Sequence, residues 1–152
     1  MVYIVVSLYT IWGGVVMELD VLLRERGYKV TPQRLAIYEV LQSCNMHPTA
    51  ENIYRIISSD YPTMSLATVY KTLDLLKEAH IIQEINIGGN ISRYDAMTQP
   101  HPHIICVKCN KVEDLDMQIT KSLINKAKKI TDYRIQNSQV YFYGLCPYCQ
   151  ST

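Results

Sequence analysis

The spacing of hydrophobic positions predicts a run of helices in the first half of the chain. Residues 18–27 (ELDVLLRERG) are amphipathic and end at a glycine suited to a helix C-terminus. Thr31-Pro32 supplies an N-cap and a first-turn proline for a second helix, and Thr49 caps a third. The predicted buried positions of these two helices are Leu35, Ile37, Tyr38, Val40, Leu41, Ile53, Ile56 and Ile57.

A stronger helical pattern begins at Ser65 with SLATVYKTLDLLKEA, and a hairpin pattern follows it. Two alternating runs, residues 81–87 and 91–96, flank the turn Gly88-Gly89-Asn90. Helices followed by a two-stranded hairpin predict a winged helix-turn-helix, in which the helix after Ser65 is free to enter a DNA major groove. Its predicted buried face is Leu66, Val69, Leu73 and Leu76, with Ala67, Thr68 and Lys71 opposite and Tyr70 at the boundary.

The pattern changes after Asp95, where residues 97–102 form a polar linker. We expect strands at 103–109 and 112–117, a helix at 119–130, and a final hairpin of residues 133–135 and 140–145. A unit of about fifty residues rarely folds without a metal, disulfides or a partner. We therefore predict an α+β chain: a winged-helix DNA-binding domain over 17–97 and a small α/β domain over 98–152.

Residues 1–16 contain no charged side chain and differ from everything that follows. The run is shorter than the roughly 20 apolar residues that a transmembrane helix needs. It also lacks the basic start and small-residue cleavage site of a secretory signal. We expect Met17 to be the biological start and residues 1–16 to be a mis-annotated leader. The alternative is a membrane-surface anchor; otherwise we expect no membrane partner and a cytoplasmic protein.

The composition is typical of a globular protein, with 48% hydrophobic and 19% charged residues. Lys plus Arg is 15 and Asp plus Glu is 14, so no overall basic excess indicates a nucleic-acid binder. Residues 17–99 hold eight basic and ten acidic residues, so the predicted DNA-binding domain is net acidic. DNA contacts must then come from a few placed side chains, for which the candidates are Lys29, Arg34, Thr68, Tyr70, Lys71 and Lys77.

Four of the five cysteines form two CxxC pairs, Cys106/Cys109 and Cys146/Cys149. Four thiolates at this spacing favour Zn²⁺ in a closed structural site within a reducing compartment. A thioredoxin-like redox pair would place one CxxC at a helix N-terminus, and we expect neither pair to precede a helix. Cys44 stands alone, and we assign it no role.

A second set of possible metal ligands includes two histidines just before the first CxxC pair. His101 and His103 point to the same side of an extended segment because they are two residues apart. His47, Asp95 and Asp114 are further candidates, although the sequence alone does not bring them together. Histidines with carboxylates favour Fe²⁺, Mn²⁺ or Zn²⁺ over Ca²⁺ and Mg²⁺.

These segments together resemble the ferric uptake regulator (Fur) family. The resemblance covers residues 19–149 and rests on GYKVTPQR, HPTAENIY, SLATVYKTL, SRYD, HxHxxCxxC and the terminal CxxC. It implies a homodimeric, metal-dependent repressor of double-stranded operator DNA, whose C-terminal domain dimerises. It also implies structural zinc on Cys106, Cys109, Cys146 and Cys149, and a regulatory Fe²⁺ or Mn²⁺ on His47, Asp95, His101, His103 and Asp114.

Within the family, the chain most resembles the peroxide-sensing PerR branch. Asp95 and Asp114 are both aspartate, as in that branch, whereas iron-responsive members tend to have glutamate. The stretch Pro100-His101-Pro102-His103 departs from the HHDH-type motif of an extra metal site. The resemblance thus implies peroxide sensing through iron-catalysed oxidation of His47 and His101. The alternative is an iron- or manganese-responsive repressor without peroxide sensing.

Two other classes of protein compete with this interpretation. A small metallohydrolase could use the paired histidines, but the chain has no HExxH motif and no Gly-rich phosphate loop. A zinc-ribbon module that binds another protein is the second rival. We expect a regulator that is not an enzyme.

Overall fold

The computed structural model describes residues 19–88 and 91–151, so the expected leader, Met17 and the turn residues Gly89-Asn90 lie outside the described residues. The helices are α1 (residues 19–25), α2 (Pro32–Ser43), α3 (Ala50–Ile57), α4 (Leu66–Glu78), α5 (Met117–Ile130) and α6 (Pro147–Gln150). The strands are β1 (Gln83–Asn86), β2 (Ser92–Asp95), β3 (His103–Cys106), β4 (Val112–Asp114) and β5 (Tyr141–Gly144). None of the helices in these residues is long and apolar enough to cross a membrane.

The predicted helix caps are confirmed. The Thr31 side chain accepts a hydrogen bond from the Arg34 N–H, at the start of α2. Thr49 and Asn52 form a capping box at the start of α3. Ser65 accepts from the Thr68 N–H at the start of α4. Each cap satisfies a backbone donor that the helix itself leaves unpaired.

The helices pack their predicted apolar faces into one core, with Val69, Leu73 and Leu76 fully buried at its centre. One prediction is wrong: Ile56 is 54% exposed. The buried stripe of α3 runs through Ala50, Ile53 and Ile57, and Ile56 lies about 100° around the helix from Ile57.

The predicted hairpin is confirmed, since β1 and β2 pair antiparallel with Gln83 opposite Asp95. Tyr94 of β2 joins the helical core. On β1, Ile85 instead packs with Ile105 and Val112 of the second sheet. The hairpin therefore contacts both halves of the chain.

The second sheet has the strand order β4-β3-β5. Strands β3 and β4 are antiparallel, and their register places His103 opposite Asp114. Strands β3 and β5 are parallel. The predicted final hairpin is wrong, because residues 133–135 form no strand and β5 pairs with β3 instead. Parallel pairing requires a long crossover connection, and the segment containing α5 supplies it.

The core predicts a strong response to truncation in α4. We expect Leu73→Ala to lower the free energy of unfolding by about 2–5 kcal/mol, because it leaves a cavity at a fully buried position. Chemical denaturation of the zinc-loaded protein measures this loss. Ile56→Ala is the matched control and should change stability by no more than about 1 kcal/mol. Equal losses for the two variants would contradict this placement of the core.

Candidate metal centres

The four paired cysteines converge on one point in the structure. Their sulfur atoms all lie within 4.8 Å of one another, and Cys109 Sγ is 3.8 Å from Cys146 Sγ. Four sulfurs about 2.3 Å from one tetrahedral zinc ion are about 3.8 Å apart, whereas a disulfide needs about 2.05 Å. The donor set and its spacing therefore fit zinc.

The first pair lies on a tight backbone turn that also contacts the second pair. After Cys106, the Asn110 N–H donates to the Cys106 carbonyl over 2.9 Å, and Asn110 takes a left-handed φ of 59° that closes the knuckle. The Cys146 N–H donates to Cys106 Sγ over 3.4 Å, which joins the two knuckles directly. The cluster thus ties the end of β3 to the C-terminal end of the chain.

The electrostatics of the cluster favour a cation. Hydrogen bonds from the backbone N–H groups of Cys146 and Cys109 lower the pKa of the Cys106 thiol to about 6. Burial, together with hydrogen bonds to the neighbouring sulfurs, raises the pKa of Cys149 to about 12. Without a cation, the ionisation of one sulfur opposes that of its neighbours. A bound divalent ion removes this repulsion and favours thiolates as ligands.

One sequence expectation about these pairs is wrong. The second pair does stand at a helix, because Cys146 is the N-cap of α6 and Cys149 lies within that helix. Pro147 takes the first helical position, where its fixed φ suits a helix start. The case for metal over redox chemistry therefore depends on the convergence of the two pairs, not on the lack of a helix.

The second candidate centre forms between the helical core and the second sheet. His47 lies between α2 and α3, and Asp95 ends β2. His103 and Asp114 face each other across β3 and β4. Ligand atoms of these four residues lie within 4.8 Å of one another. The structure thus brings together side chains that are up to 67 positions apart in sequence.

A single oxygen of Asp114 is the meeting point of the histidines. Asp114 Oδ1 is 2.7 Å from His47 Nε2, 3.1 Å from His101 Nε2 and 3.3 Å from His103 Nε2. His101 Nε2 also lies 3.2 Å from Asp95 Oδ2. His101 therefore adjoins the four-residue group, although it lies outside the tighter set. All three histidines are at most 4% exposed.

The orientation of His101 shows which atom it offers. Its Nδ1 lies 2.8 Å from the Gln99 carbonyl oxygen, which can only accept, so Nδ1 is the donor. In the neutral ring, Nε2 then presents a lone pair toward two carboxylate oxygens. This arrangement is repulsive unless a cation lies among the groups. A carbonyl that fixes the far nitrogen is also the usual support of a metal-binding histidine.

Buried atoms without partners point the same way. Among the described residues, His47 Nδ1 and His103 Nε2 are buried and lack a hydrogen bond of acceptable geometry. Leaving such groups unsatisfied costs about 1–3 kcal/mol each. Two donors that are each about 2.1 Å from one ion, at right angles, lie about 3 Å apart. The spacings around Asp114 match that value, so the set fits a divalent transition metal.

The Asp95 carboxylate is held in its ionised form. Desolvation raises its pKa, but the neighbouring His103 imidazole and hydrogen bonds from the Met97 N–H and Gln83 together outweigh this effect and lower the pKa. Gln83 Nε2 is 2.9 Å from Asp95 Oδ2 across the β1–β2 pair. The residue is therefore an anionic donor directed into the cluster.

The six candidate DNA contacts do not share one environment. Lys29 and Lys71 are exposed, and Tyr70 is 40% exposed on α4. The side chain of Arg34 hydrogen-bonds to the Lys29 carbonyl, and the hydroxyl of Thr68 is bonded to Ser65. The DNA-contact assignments remain predictions.

Lys77 and Tyr70 have acidic partners that sequence reasoning did not find. Lys77 Nζ lies 2.8 Å from Glu84 Oε2 and 3.3 Å from Asp74. The Tyr70 hydroxyl donates to Glu51 over 2.5 Å. Any DNA phosphate approaching Lys77 must compete with these carboxylates.

Sequence reasoning also did not select Gln83, Gln99 or Arg93, which hydrogen-bond to Asp95, His101 and the His47 carbonyl respectively. The strand register that brings Gln83 to Asp95 could have been derived from the hairpin pattern. No sequence signal marked Gln99, because its contribution is a backbone carbonyl.

Comparison with known proteins places this geometry in context. Residues 25–143 match the model of the ferric uptake regulator family. A peroxide-responsive repressor, PerR, of Staphylococcus aureus is 38% identical over 128 residues, which are 84% of this chain and 86% of that protein.

Solved structures agree on the fold. The Campylobacter jejuni peroxide stress regulator superposes with a TM-score of 0.71 and 33% identity, covering 84% of this chain and 96% of that one. The Helicobacter pylori ferric uptake regulator superposes with a TM-score of 0.78, covering 92% and 94%. At 22% identity, the latter supports the fold alone.

The cysteine geometry predicts one thiolate-bound metal per chain. We expect Co²⁺ added to metal-free protein to give the strong thiolate-to-metal absorption of a four-sulfur tetrahedral site. Cys149→Ser should remove one sulfur ligand and lower zinc content and this absorption together. Cys44→Ser, the matched control, should leave both unchanged. A loss in the control of the same size would contradict the assignment.

Proposed function

This chain belongs to the ferric uptake regulator family, whose members are dimeric DNA-binding transcription regulators, and from this we propose that it is a metal-dependent repressor that responds to peroxide. The 38% identity to the peroxide-responsive repressor of Staphylococcus aureus supports this proposal. We propose that the chain shares the family's regulatory role and is not an enzyme. Its place would be the cytoplasm, where reduced cysteines are maintained.

The observation that carries the proposal is the histidine–carboxylate cluster between the two parts of the chain. We take residues 17–97 as the DNA-binding domain and 98–152 as the dimerisation domain. His47 and Asp95 then belong to the first, and His103 and Asp114 to the second. Donors from both sides of one ion restrict the angle between the domains. In a dimer, that angle sets the distance between two recognition helices.

The two centres take different metals in this proposal. The four cysteines hold structural Zn²⁺, since a closed four-thiolate site leaves no open position. His47, Asp95, His101, His103 and Asp114 hold the regulatory Fe²⁺ or Mn²⁺. Nitrogen and carboxylate donors suit these more weakly bound ions.

Peroxide sensing depends on the histidines that support the regulatory ion. His47, Asp95, His101, His103 and Asp114 would hold the Fe²⁺, which would activate peroxide so that one peroxide oxygen is added to a nearby imidazole and the other leaves as water. We propose that His47 and His101 are the residues oxidised. A cavity lined by residues that include Cys44, His47 and Asp114 gives a small solute room beside the cluster. An oxidised imidazole is a poorer metal ligand. The regulatory ion would then bind more weakly and would no longer link the two domains.

The exposure of helix α5 supports the proposal that the protein is a homodimer. Of its fourteen residues only Thr120 is buried, although an amphipathic helix normally buries one face. Both α5 and β5 carry exposed hydrophobic side chains, namely Met117, Ile119, Leu123, Phe142 and Tyr143. The free edge of β5 lies at the end of the sheet. We propose that a second copy covers this surface.

Recognition of operator DNA is assigned to α4 and its surroundings. Tyr70 and Lys71 are exposed on this helix, where they can reach base edges and phosphates. Lys29, Arg34, Thr68 and Lys77 are the further proposed contacts. Since the domain is net acidic, binding depends on two helices that reach both half-sites together.

The first test joins DNA binding to histidine oxidation. Operator affinity should rise on addition of Mn²⁺ or Fe²⁺, because the ion fixes the domain angle. Peroxide should abolish binding of the Fe²⁺ form only, and mass spectrometry should find one added oxygen on peptides with His47 or His101. The exposed His80 is an internal reference and should remain unmodified. Metal-dependent binding that survives peroxide without such oxygen would instead establish the iron- or manganese-responsive alternative.

The second test concerns the dimer. Leu123→Glu places a charge within the exposed face of α5 and should convert the protein to monomers at micromolar concentration, as sedimentation velocity would record. Ile56→Glu is the control, since it adds the same charge to an exposed isoleucine on α3. A Leu123→Glu protein that stays dimeric would place the interface elsewhere.

A further inference from the structure

The backbone at His47 takes a conformation that needs support. Its φ is 46°, in the left-handed region that residues other than glycine rarely adopt. The residue is 2% exposed, and its Nε2 must reach Asp114 on the second sheet. Because the α2–α3 connection is a short loop, neighbouring structure has to hold it in this form.

Strand β2 provides that support by donating hydrogen bonds to three consecutive carbonyl groups of the loop. Arg93 Nη1 donates to the His47 carbonyl over 2.9 Å and to the Met46 carbonyl over 3.2 Å. The Tyr94 N–H donates to the Pro48 carbonyl over 3.1 Å. The loop is therefore fixed on both sides of His47. Within the part of the chain that the structure describes, Arg93 is the only side chain that donates to these carbonyls.

The surroundings of Arg93 leave the loop carbonyls as its partners. Burial lowers the pKa of its guanidinium. Its Nε is buried without an acceptor in the described part of the chain, so the backbone carbonyls at residues 46 and 47 are its main anchors.

We propose that Arg93 is the positioning residue of the regulatory metal site: it holds the His47 backbone in the left-handed conformation that directs the imidazole to Asp114. The proposal rests on the proposed function only in taking His47 as a metal ligand. A lysine would keep the charge but carries a compact ammonium on a side chain of different shape and reach, so we expect it to replace Arg93 only in part.

The test uses the full-length, zinc-loaded chain and its Arg93→Ala and Arg93→Lys variants. Mn²⁺ affinity should fall by about 10–100-fold in Arg93→Ala, as for other residues that orient a ligand. Arg93→Lys should show a smaller loss. Zinc content should stay at the wild-type level in both.

A second readout follows His47 without any regulatory metal. The chain has four histidines, so ¹⁵N-histidine NMR of the zinc-loaded protein can follow each ring. Both variants should shift the His47 signals and leave those of the exposed His80 in place. Arg55→Ala, which removes an exposed arginine from the same part of the chain, is the matched control and should change neither readout.

The outcomes separate this inference from the proposed function. Wild-type Mn²⁺ affinity with unmoved His47 signals in Arg93→Ala would overturn it, as would full restoration by Arg93→Lys. If Arg93→Ala fails to fold, Arg93→Lys decides by the same two readouts. If His47→Ala leaves Mn²⁺ affinity unchanged, the ligand set of the proposed function fails, and the His47 signals alone decide the role of Arg93.

Discussion

The crowding of donors around Asp114 is the constraint on which the rest of the structure depends. Three buried imidazoles approach one carboxylate oxygen within 2.7–3.3 Å, and His101 offers it a lone pair because Gln99 occupies the other nitrogen. Burying these groups together is unfavourable without a positive charge among them and becomes favourable when a cation binds. The same cluster therefore favours binding of a cation and links the two parts of the chain.

The cysteine cluster compensates for the small hydrophobic core of the second sheet. The second sheet has few fully buried apolar side chains of its own, chiefly Ile105 and Val112, and borrows Ile85 from the hairpin. So small a core gives little stability by itself. A metal on four thiolates ties the chain end to β3, and a second copy against α5 would cover the remaining apolar surface. Rigidity here is useful, because the strands that present His103 and Asp114 need a fixed register.

Local patterns predicted most of the fold. Caps at Thr31, Thr49 and Ser65 and the helical spacing of apolar residues are properties of short segments, so they could be read directly. The failures concern pairing over distance: the parallel partner of β5 depends on the crossover through α5, and the exposure of Ile56 depends on which helices lie beside α3. The five regulatory residues could be proposed from a resemblance, but their convergence follows from strand register and from a left-handed backbone at His47, which no local pattern contains.

The acidic character of the N-terminal part has a consequence for the switch. Lys77 is paired with Glu84, and Tyr70 donates to Glu51, so carboxylates lie close to the surface that would face DNA. In the proposed repressor, repulsion between these groups and DNA phosphates would lower the affinity of each single recognition helix. Binding would then require both helices of a dimer at the correct separation, and the gain from simultaneous contact would depend steeply on geometry. A protein with a strongly basic surface would bind in any domain arrangement, whereas this one can make occupancy of its metal cluster decisive.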